Sequence, residues 1–279
     1  MPELPELEVI CEVLQRRVVG QTLQAVKIIP PGGAIVVRDL SKLGFAAALS
    51  GATFAAVARR GKFLIFSFQN AGQPLYLAVN PKLSGRLQLA APAEKLRAKT
   101  DLVISLAPGG AQLRYFDAKQ MGQIYLVHDL AQIPEYAALG PEALQIPLAE
   151  FRERLKPFRG EIKGVLTRGE FVAGIGNAYA DEILWEARLH PYRKSTQLSP
   201  EQIEVLYTAM RVTLLGAIEK IRAEMGEAIE REPRDFMSIH MKTGQPCPRC
   251  GTPISVVSAN QRITNFCRTC QPGGLIKGM

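Results

Sequence analysis

The sequence predicts an α+β protein of several domains: an N-terminal helix with an antiparallel β-sandwich, then a helical region, then a four-cysteine ribbon. Three observations lead there. Between Thr22 and His128 the chain is a succession of short β-like runs broken by glycine, proline and asparagine. Beyond Pro157 apolar residues recur at helical spacing. The tail from Lys242 holds four of the five cysteines in two Cys-x2-Cys pairs. The divisions fall at 1–130, 131–242 and 243–279.

Taken in order, the first helix follows Pro5. Leu7, Ile10, Leu14 and Val18 make its apolar stripe, and Gly20 stops it. Cys11 lies near that stripe as a small core residue. The better strands are Thr53–Ala58, Lys62–Phe68, Leu75–Val79, Leu87–Ala90, Leu102–Leu106, Gln112–Tyr115 and Gln123–Val127, with a short helix over Ser41–Leu49. Pro134, Pro141, Pro147 and Pro157 mark the crossing between domains. Helices follow at Leu148–Leu155, Ala178–Glu186 and Pro200–Glu224. The last has Ser199 as N-cap, Pro200 in its first turn and Gln202 completing a capping box.

The chain has 279 residues, 47% of them hydrophobic, enough for several cores. A net charge of +8 points to a polyanionic partner, nucleic acid first. The absence of an 18-residue apolar run excludes a transmembrane helix, and the N-terminus is not a signal peptide. The expected location is therefore the cytoplasm, where structural disulfides are rare. The four tail cysteines need another explanation.

Cys247-x2-Cys250 and Cys267-x2-Cys270, with sixteen residues between the pairs, match a structural zinc site. Disulfides or a redox pair are the alternatives. Ser258–Arg262 would form the tip of a two-stranded ribbon, where an arginine can fork onto a phosphate. Gly174-Ile175-Gly176-Asn177 before a helix is either an anion-binding turn or an ordinary loop-to-helix turn, and it lacks the third glycine of a dinucleotide fingerprint. Arg59-Arg60-Gly61-Lys62 is either a phosphate-binding turn or a charged strand edge. At the N-terminus, removal of Met1 would leave Pro2 as a secondary amine able to form an iminium with an aldehyde-like carbon, with Glu3 beside it to pass a proton. The same octapeptide also reads as plain helix-start chemistry.

Together, Pro-Glu-Leu-Pro-Glu at 2–6, Arg-Arg-Gly-Lys at 59–62, Gly-Ile-Gly-Asn-x-Tyr-Ala-x-Glu at 174–182 and the cysteine ribbon with Gln261-Arg262 resemble the formamidopyrimidine-DNA glycosylase / endonuclease VIII family over nearly the whole chain. The resemblance implies a bifunctional base excision repair glycosylase and abasic-site lyase, with a helix-two-turn-helix element around Asn177 and one structural zinc held by Cys247, Cys250, Cys267 and Cys270. It implies Pro2 as nucleophile on C1′ of a damaged nucleoside and Glu3 as general acid. Lys62 and Arg262 then belong to the catalytic set, Glu6 supports the site, and Lys62, Asn177 and Arg262 grip flanking phosphates. The partner is damaged double-stranded DNA met by a monomer away from membranes, on the nucleoid if the source is bacterial. The lesion base would leave the stack.

This chain departs from the formamidopyrimidine branch in three places. Asn80-Pro81-Lys82-Leu83-Ser84-Gly85 puts Leu83 where a void-filling methionine is usual. Asp117-Ala118-Lys119-Gln120-Met121-Gly122 puts Lys119 and Gln120 in place of two arginines and Met121 in place of a wedging phenylalanine. Leu83 and Met121 keep an apolar wedge, while Lys119 keeps charge but loses the fork that reads an opposite cytosine. The Gly-rich stretch that covers 8-oxoguanine is missing after Glu224, so oxidised pyrimidines, ring-opened purines or bulkier adducts compete as substrates. Two further readings stay open: a damage-binding protein that lost excision on the same scaffold, and a zinc-ribbon RNA-binding protein. His128, His190, His240 and Trp185 are expected only to pack.

Overall fold

The computed structural model describes residues 1–69, 72–259 and 262–273, with Ala259 and Arg262 described by backbone alone. The chain divides into two compact units, Met1–Ala138 with Ile221–Pro233, and Leu139–Lys220 with Arg234–Met279.

The first unit begins with α1, Leu4–Val18. Glu3 caps it: its side chain accepts the Glu6 N–H, and Glu6 Oε2 accepts the Glu3 N–H at 2.9 Å. Leu7, Ile10, Leu14 and Val18 are all buried, so the predicted stripe is the packing face. Strands β1 (Thr22–Ile28), β2 (Val37–Asp39), β3 (Thr53–Arg60), β4 (Phe63–Gln69), β5 (Tyr76–Asn80), β6 (Gly85–Ala90), β7 (Thr100–Ala107), β8 (Gln112–Asp117) and β9 (Gln123–Val127) follow, with short helices α2 (Gly32–Val36) and α3 (Phe45–Leu49) between them. Among the described residues these nine strands are hydrogen-bonded in one order, β2-β9-β5-β4-β3-β1-β7-β8-β6. Every pairing is antiparallel except β2 with β9. Phe54 packs between Phe66 and Phe68, at ring-centroid distances of 5.5 and 5.2 Å, and anchors the core. The first of its two segments closes with α4 (Pro134–Ala137).

The second unit holds α5 (Leu148–Leu155), α6 (Ile162–Leu166), α7 (Asn177–Glu186) and most of α8 (Pro200–Met225), whose last turn belongs to the first unit. The capping box at Ser199 forms as predicted: its N–H donates to Gln202 Oε1 at 3.0 Å and its hydroxyl accepts the Gln202 N–H at 3.3 Å. Phe151 packs against Phe171 and, edge-on, against Tyr207 in the helical core. Strands β10 (Ser255–Ala259) and β11 (Arg262–Phe266) pair as the antiparallel ribbon. No helix among the described residues is long and apolar enough to cross a membrane.

Candidate nucleic-acid interface and metal centre

In the first unit the residues of interest hang from α1 and from three loops. Pro2 is buried, and Glu3 and Glu6 are 1% and 0% exposed. The Glu3–Glu6 capping box fixes the Glu3 carboxylate at the helix start, immediately after Pro2. With Met1 in place the chain's ammonium sits 2.9 Å from Glu232, which is itself paired with Arg86. Glu232 belongs to the charged run after α8, and this run makes further ion pairs within the first unit: Glu227 with Arg16 and Arg17, and Glu230 with Arg97.

Lys62 stands in the two-residue turn joining β3 to β4, next to Gly61, whose φ of +57° a side chain disfavours. Arg59 holds that turn. Its Nη1 donates to the Gly61 carbonyl at 3.0 Å, and its Nε pairs with Glu8 of α1. The helix that starts directly after Pro2 and Glu3 therefore also braces the turn that presents Lys62.

Leu83 and Met121 are 42% and 53% exposed, large apolar side chains facing solvent. Lys119, between them in the Met121 loop, is exposed. Gln120 turns inward: its side chain bonds to the Asp101 carboxylate, and a Cβ on Gly32 of α2 would strike both groups. Burial first, and the charge of Asp117 second, push the Asp101 carboxyl from an ordinary 3.8 up to about 6. A raised carboxyl pKa means that the fold binds a proton the unfolded chain releases. Stability from Asp101 is thus fully present below the ordinary value and lost as pH rises through about 6. Asp101→Asn should remove that loss. In calorimetric scans, variant Tm minus wild-type Tm should grow between pH 4 and 6 and level off above; a constant difference would disprove the assignment.

In the second unit Gly174 (φ +103°) and the extended Gly176 lead into α7. Asn177, the first helical residue, donates Nδ2 to the Ile263 carbonyl of β11 at 2.7 Å, while its buried Oδ1 has no hydrogen-bond partner among the described residues. Lys163 of α6 reaches the same carbonyl at 2.9 Å, Thr264 Oγ1 at 2.9 Å and Asp181 at 2.6 Å. The strand that carries Arg262 is thereby fastened to two helices. The Arg262 side chain, with Asn260 and Gln261, lies outside the described residues; the backbone of Arg262 pairs with Ala259.

Sequence reading gave no role to Asp181, Glu182, Trp185 or His240, although the first two stand inside the quoted glycine–asparagine motif. Asp181 pairs with Lys163, accepts from Asn265 N–H at 3.2 Å and bonds His240 Nδ1 at 2.8 Å. Glu182 accepts the N–H groups of Ser238, Ile239 and His240 at 2.8–2.9 Å. Two adjacent acids of α7 thus fasten the segment entering the ribbon. His190 packs edge-on against Phe266, and His128 bonds the Pro74 carbonyl at 2.8 Å, as packing residues do.

The sulfur atoms of Cys247, Cys250, Cys267 and Cys270 all lie within 4.8 Å of one another, and none is in a disulfide. Cys247–Cys270 and Cys250–Cys267 separations are 3.8 and 3.4 Å. Metal–sulfur bonds of ~2.3 Å in a tetrahedron require sulfur–sulfur distances of about 3.8 Å, so the four thiols fit one metal ion. Trp185 Nε1 donates to Cys247 Sγ at 3.4 Å, and Arg249 lies 3.8 Å over the indole.

Residues 1–124 match the family described as the formamidopyrimidine-DNA glycosylase N-terminal domain, residues 139–227 its H2TH domain, and residues 244–273 the zinc finger found in FPG and IleRS. The chain is 37% identical over 281 residues to a formamidopyrimidine-DNA glycosylase of Symbiobacterium thermophilum, covering 98% of this chain and 90% of that one. It is 33% identical over 282 residues to that of Enterococcus faecalis, covering 97% of each. A solved complex between the Lactococcus lactis Fpg and an abasic site containing DNA superposes with a TM-score of 0.84 at 30% identity, over 97% of this chain and 100% of that one. MutM in complex with carbocyclic 8-oxo-G containing DNA superposes with a TM-score of 0.84 at 29% identity, over 98% and 100%.

Proposed function

The chain belongs to the formamidopyrimidine-DNA glycosylase family, and from that premise we propose that Pro2, once Met1 is removed, is the nucleophile of a base excision repair reaction. The chain is a DNA glycosylase and abasic-site lyase, which sets aside the damage-binding and RNA-binding alternatives. The observation that carries the residue assignment is the helix start: Pro2 directly precedes a buried carboxylate whose position is fixed by a reciprocal capping box.

The neutral Pro2 nitrogen attacks C1′, and the damaged base leaves with the glycosidic electron pair and takes up the proton the nitrogen gives up. Glu3 delivers a proton to the deoxyribose ring oxygen, which opens the ring as an iminium. The positive nitrogen acidifies the C2′ proton. Its loss expels the 3′ phosphate by β-elimination, and a second elimination expels the 5′ phosphate. Glu6 supports Glu3 through the capping box. Lys62, Asn177 and Arg262 hold backbone phosphates, and the +8 charge supplies sequence-blind, salt-dependent affinity. Leu83 and Met121 fill the stack, with Lys119 facing the opposite base. The segments 1–130, 131–242 and 243–279 act as catalytic, DNA-gripping and ribbon modules.

The metal at the four cysteines is a single zinc ion, and its role is structural because thiolates fill every position. The substrate is a damaged base in double-stranded DNA, oxidised or ring-opened, met by a monomer in the cytoplasm or on the nucleoid. The run after Glu224 lacks the Gly-rich cover and is instead ion-paired to Arg16 and Arg97, which argues against 8-oxoguanine as the preferred base.

Borohydride trapping on an oligonucleotide with one abasic site, followed by mapping of the cross-linked peptide, tests the assignment. A reduced adduct on Pro2 is expected. An adduct on a lysine would keep the lyase and retire Pro2; no adduct despite tight binding would retire both. Arg262→Ala should weaken binding to any damaged duplex. It should also lower the slope of log affinity against log salt by about 1, if one phosphate contact is lost. Fluorescence anisotropy across a salt series measures this, and an unchanged slope would remove Arg262 from the phosphate grip.

A further inference from the structure

Two of the exposed apolar side chains of the first unit, Leu83 before β6 and Met121 after β8, come from loops more than thirty residues apart. One fully buried carboxylate holds both loops. Asp117 is 0% exposed. Its Oδ1 accepts the Ser84 hydroxyl and the Lys119 N–H, the latter at 3.1 Å. Its Oδ2 accepts the Gly122 N–H at 2.7 Å and the Tyr115 hydroxyl at 3.4 Å. Ser84 is a bridge in its own right, because its oxygen also accepts the Lys119 N–H at 3.0 Å. The flanking residues of Leu83 and of Met121 are thus tied to the same two oxygens.

The surroundings fit this closure. A Cβ on Gly85 or on Gly122 would strike the Tyr115 hydroxyl, so the two loops close around one phenol. Each loop carries a non-glycine residue in the left-handed region, Lys82 at φ +49° and Gln120 at +53°. Such conformations cost energy and persist where neighbouring contacts over-determine them. Lys82 N–H donates to Asn80 Oδ1 at 3.2 Å, and Gln120 is anchored on Asp101.

We propose that Asp117 is the positioning residue of the DNA wedge: by binding Ser84 and the Lys119–Gly122 backbone together, it presents Leu83 and Met121 as one preformed element that enters the stack in a single step. This rests on the assignment of Leu83 and Met121 as intercalating side chains. A carboxylate offers about four acceptor directions, and four donors converge on this one. Ordering the loops before contact removes an entropy cost that separate loops would meet at the moment of insertion.

The test uses Ser84→Ala, which deletes the bridging hydroxyl, and Asp117→Asn, which keeps shape but turns an amide N–H₂ toward backbone donors. Stopped-flow fluorescence of 2-aminopurine next to a tetrahydrofuran abasic analogue reads wedge insertion. Strand cleavage is compared on an abasic duplex and on the same strand with a gap opposite the lesion, where nothing needs to be displaced. Both variants should slow insertion and duplex cleavage by about tenfold or more, the effect of leaving buried polar groups short of hydrogen-bond partners, while cleavage of the gapped substrate stays at the wild-type rate. Equal losses on both substrates would mean general damage to the fold and overturn the proposal. If Asp117→Asn does not fold, Ser84→Ala alone decides. A Leu83→Ala/Met121→Ala double variant separates the two layers. Unaltered insertion in it defeats the wedge assignment itself. Slowed insertion in it, with wild-type insertion in Ser84→Ala and Asp117→Asn, defeats only the role of Asp117.

Discussion

Pro2→Gly is expected to cut strand cleavage at an abasic site on the order of 10³-fold or more, the scale seen when an enzyme loses its covalent nucleophile, and to weaken the borohydride-trapped adduct. The substitution is a stringent one because glycine still leaves an amine at the terminus. A primary amine gives an imine that can shed its proton and become neutral. The secondary amine of proline has no such proton to lose, so its iminium stays positive and keeps the C2′ proton acidic through both eliminations. Glu3→Gln separates proton transfer from structure. The glutamine oxygen can still accept the Glu6 N–H in the capping box, so α1 should begin where it does now. Only the transferable proton is gone. Single-turnover cleavage of abasic DNA, with binding measured in parallel by anisotropy, should show both variants bound and neither cutting well. If both cut as wild type does, Pro2 and Glu3 are ordinary helix-start residues.

What the sequence revealed and what it hid follow from the range of the interactions. α1, α5 and α8 were legible because a helix declares itself through neighbours three and four apart and through its caps. Leu148–Leu155 was predicted to the residue, and the Ser199–Gln202 box formed. The metal site was legible because two turns of fixed spacing do most of its geometry. α2 was not: Gly32 and Gly33 have no helical propensity, and they are small because Asp101, Gln120 and Ile28 crowd them. α6 is a single short turn whose helicity comes from packing Ile162, Val165 and Leu166, all buried. The loops at 80–85 and 117–122 showed as departures from a motif, but the carboxylate joining them did not, since Ser84 and Asp117 are 33 positions apart. The roles of Asp181 and Glu182 were hidden for the same reason; the backbone N–H groups they hold lie 56–84 residues downstream. Arg59 gave a local signal that misled. It reads as a charged edge or a phosphate ligand, and it is committed to Glu8 and to the turn that presents Lys62.

Removing the metal should dismantle the ribbon while leaving the helices in place. The ribbon has little core of its own: Ile239, Cys247, Ile254 and Cys267 are the buried cluster, with Trp185 and Cys270 packed on it. So small a cluster cannot offset the chain entropy of ordering the tail, whereas a structural zinc ion contributes roughly 10–16 kcal/mol in isolated zinc-finger peptides. Loss of the ion withdraws β11 from α6 and α7. Lys163 and Asn177 lose the Ile263 carbonyl, and Asp181 loses the Asn265 N–H. DNA affinity should then fall by about 100-fold or more, since the anchors of both elements proposed to grip phosphates go together. The protein carries its own reporter. Trp185 is the only tryptophan, and it donates to Cys247 with Arg249 stacked on its face. Chelation should shift its emission to the red as the indole meets water, release one equivalent of zinc to a colorimetric indicator, and leave the far-ultraviolet helical signal nearly unchanged. Cys250→Ser should reproduce the shift without chelator. A metal-free protein with unshifted emission and full DNA affinity would show that the four thiols hold the ribbon without an ion.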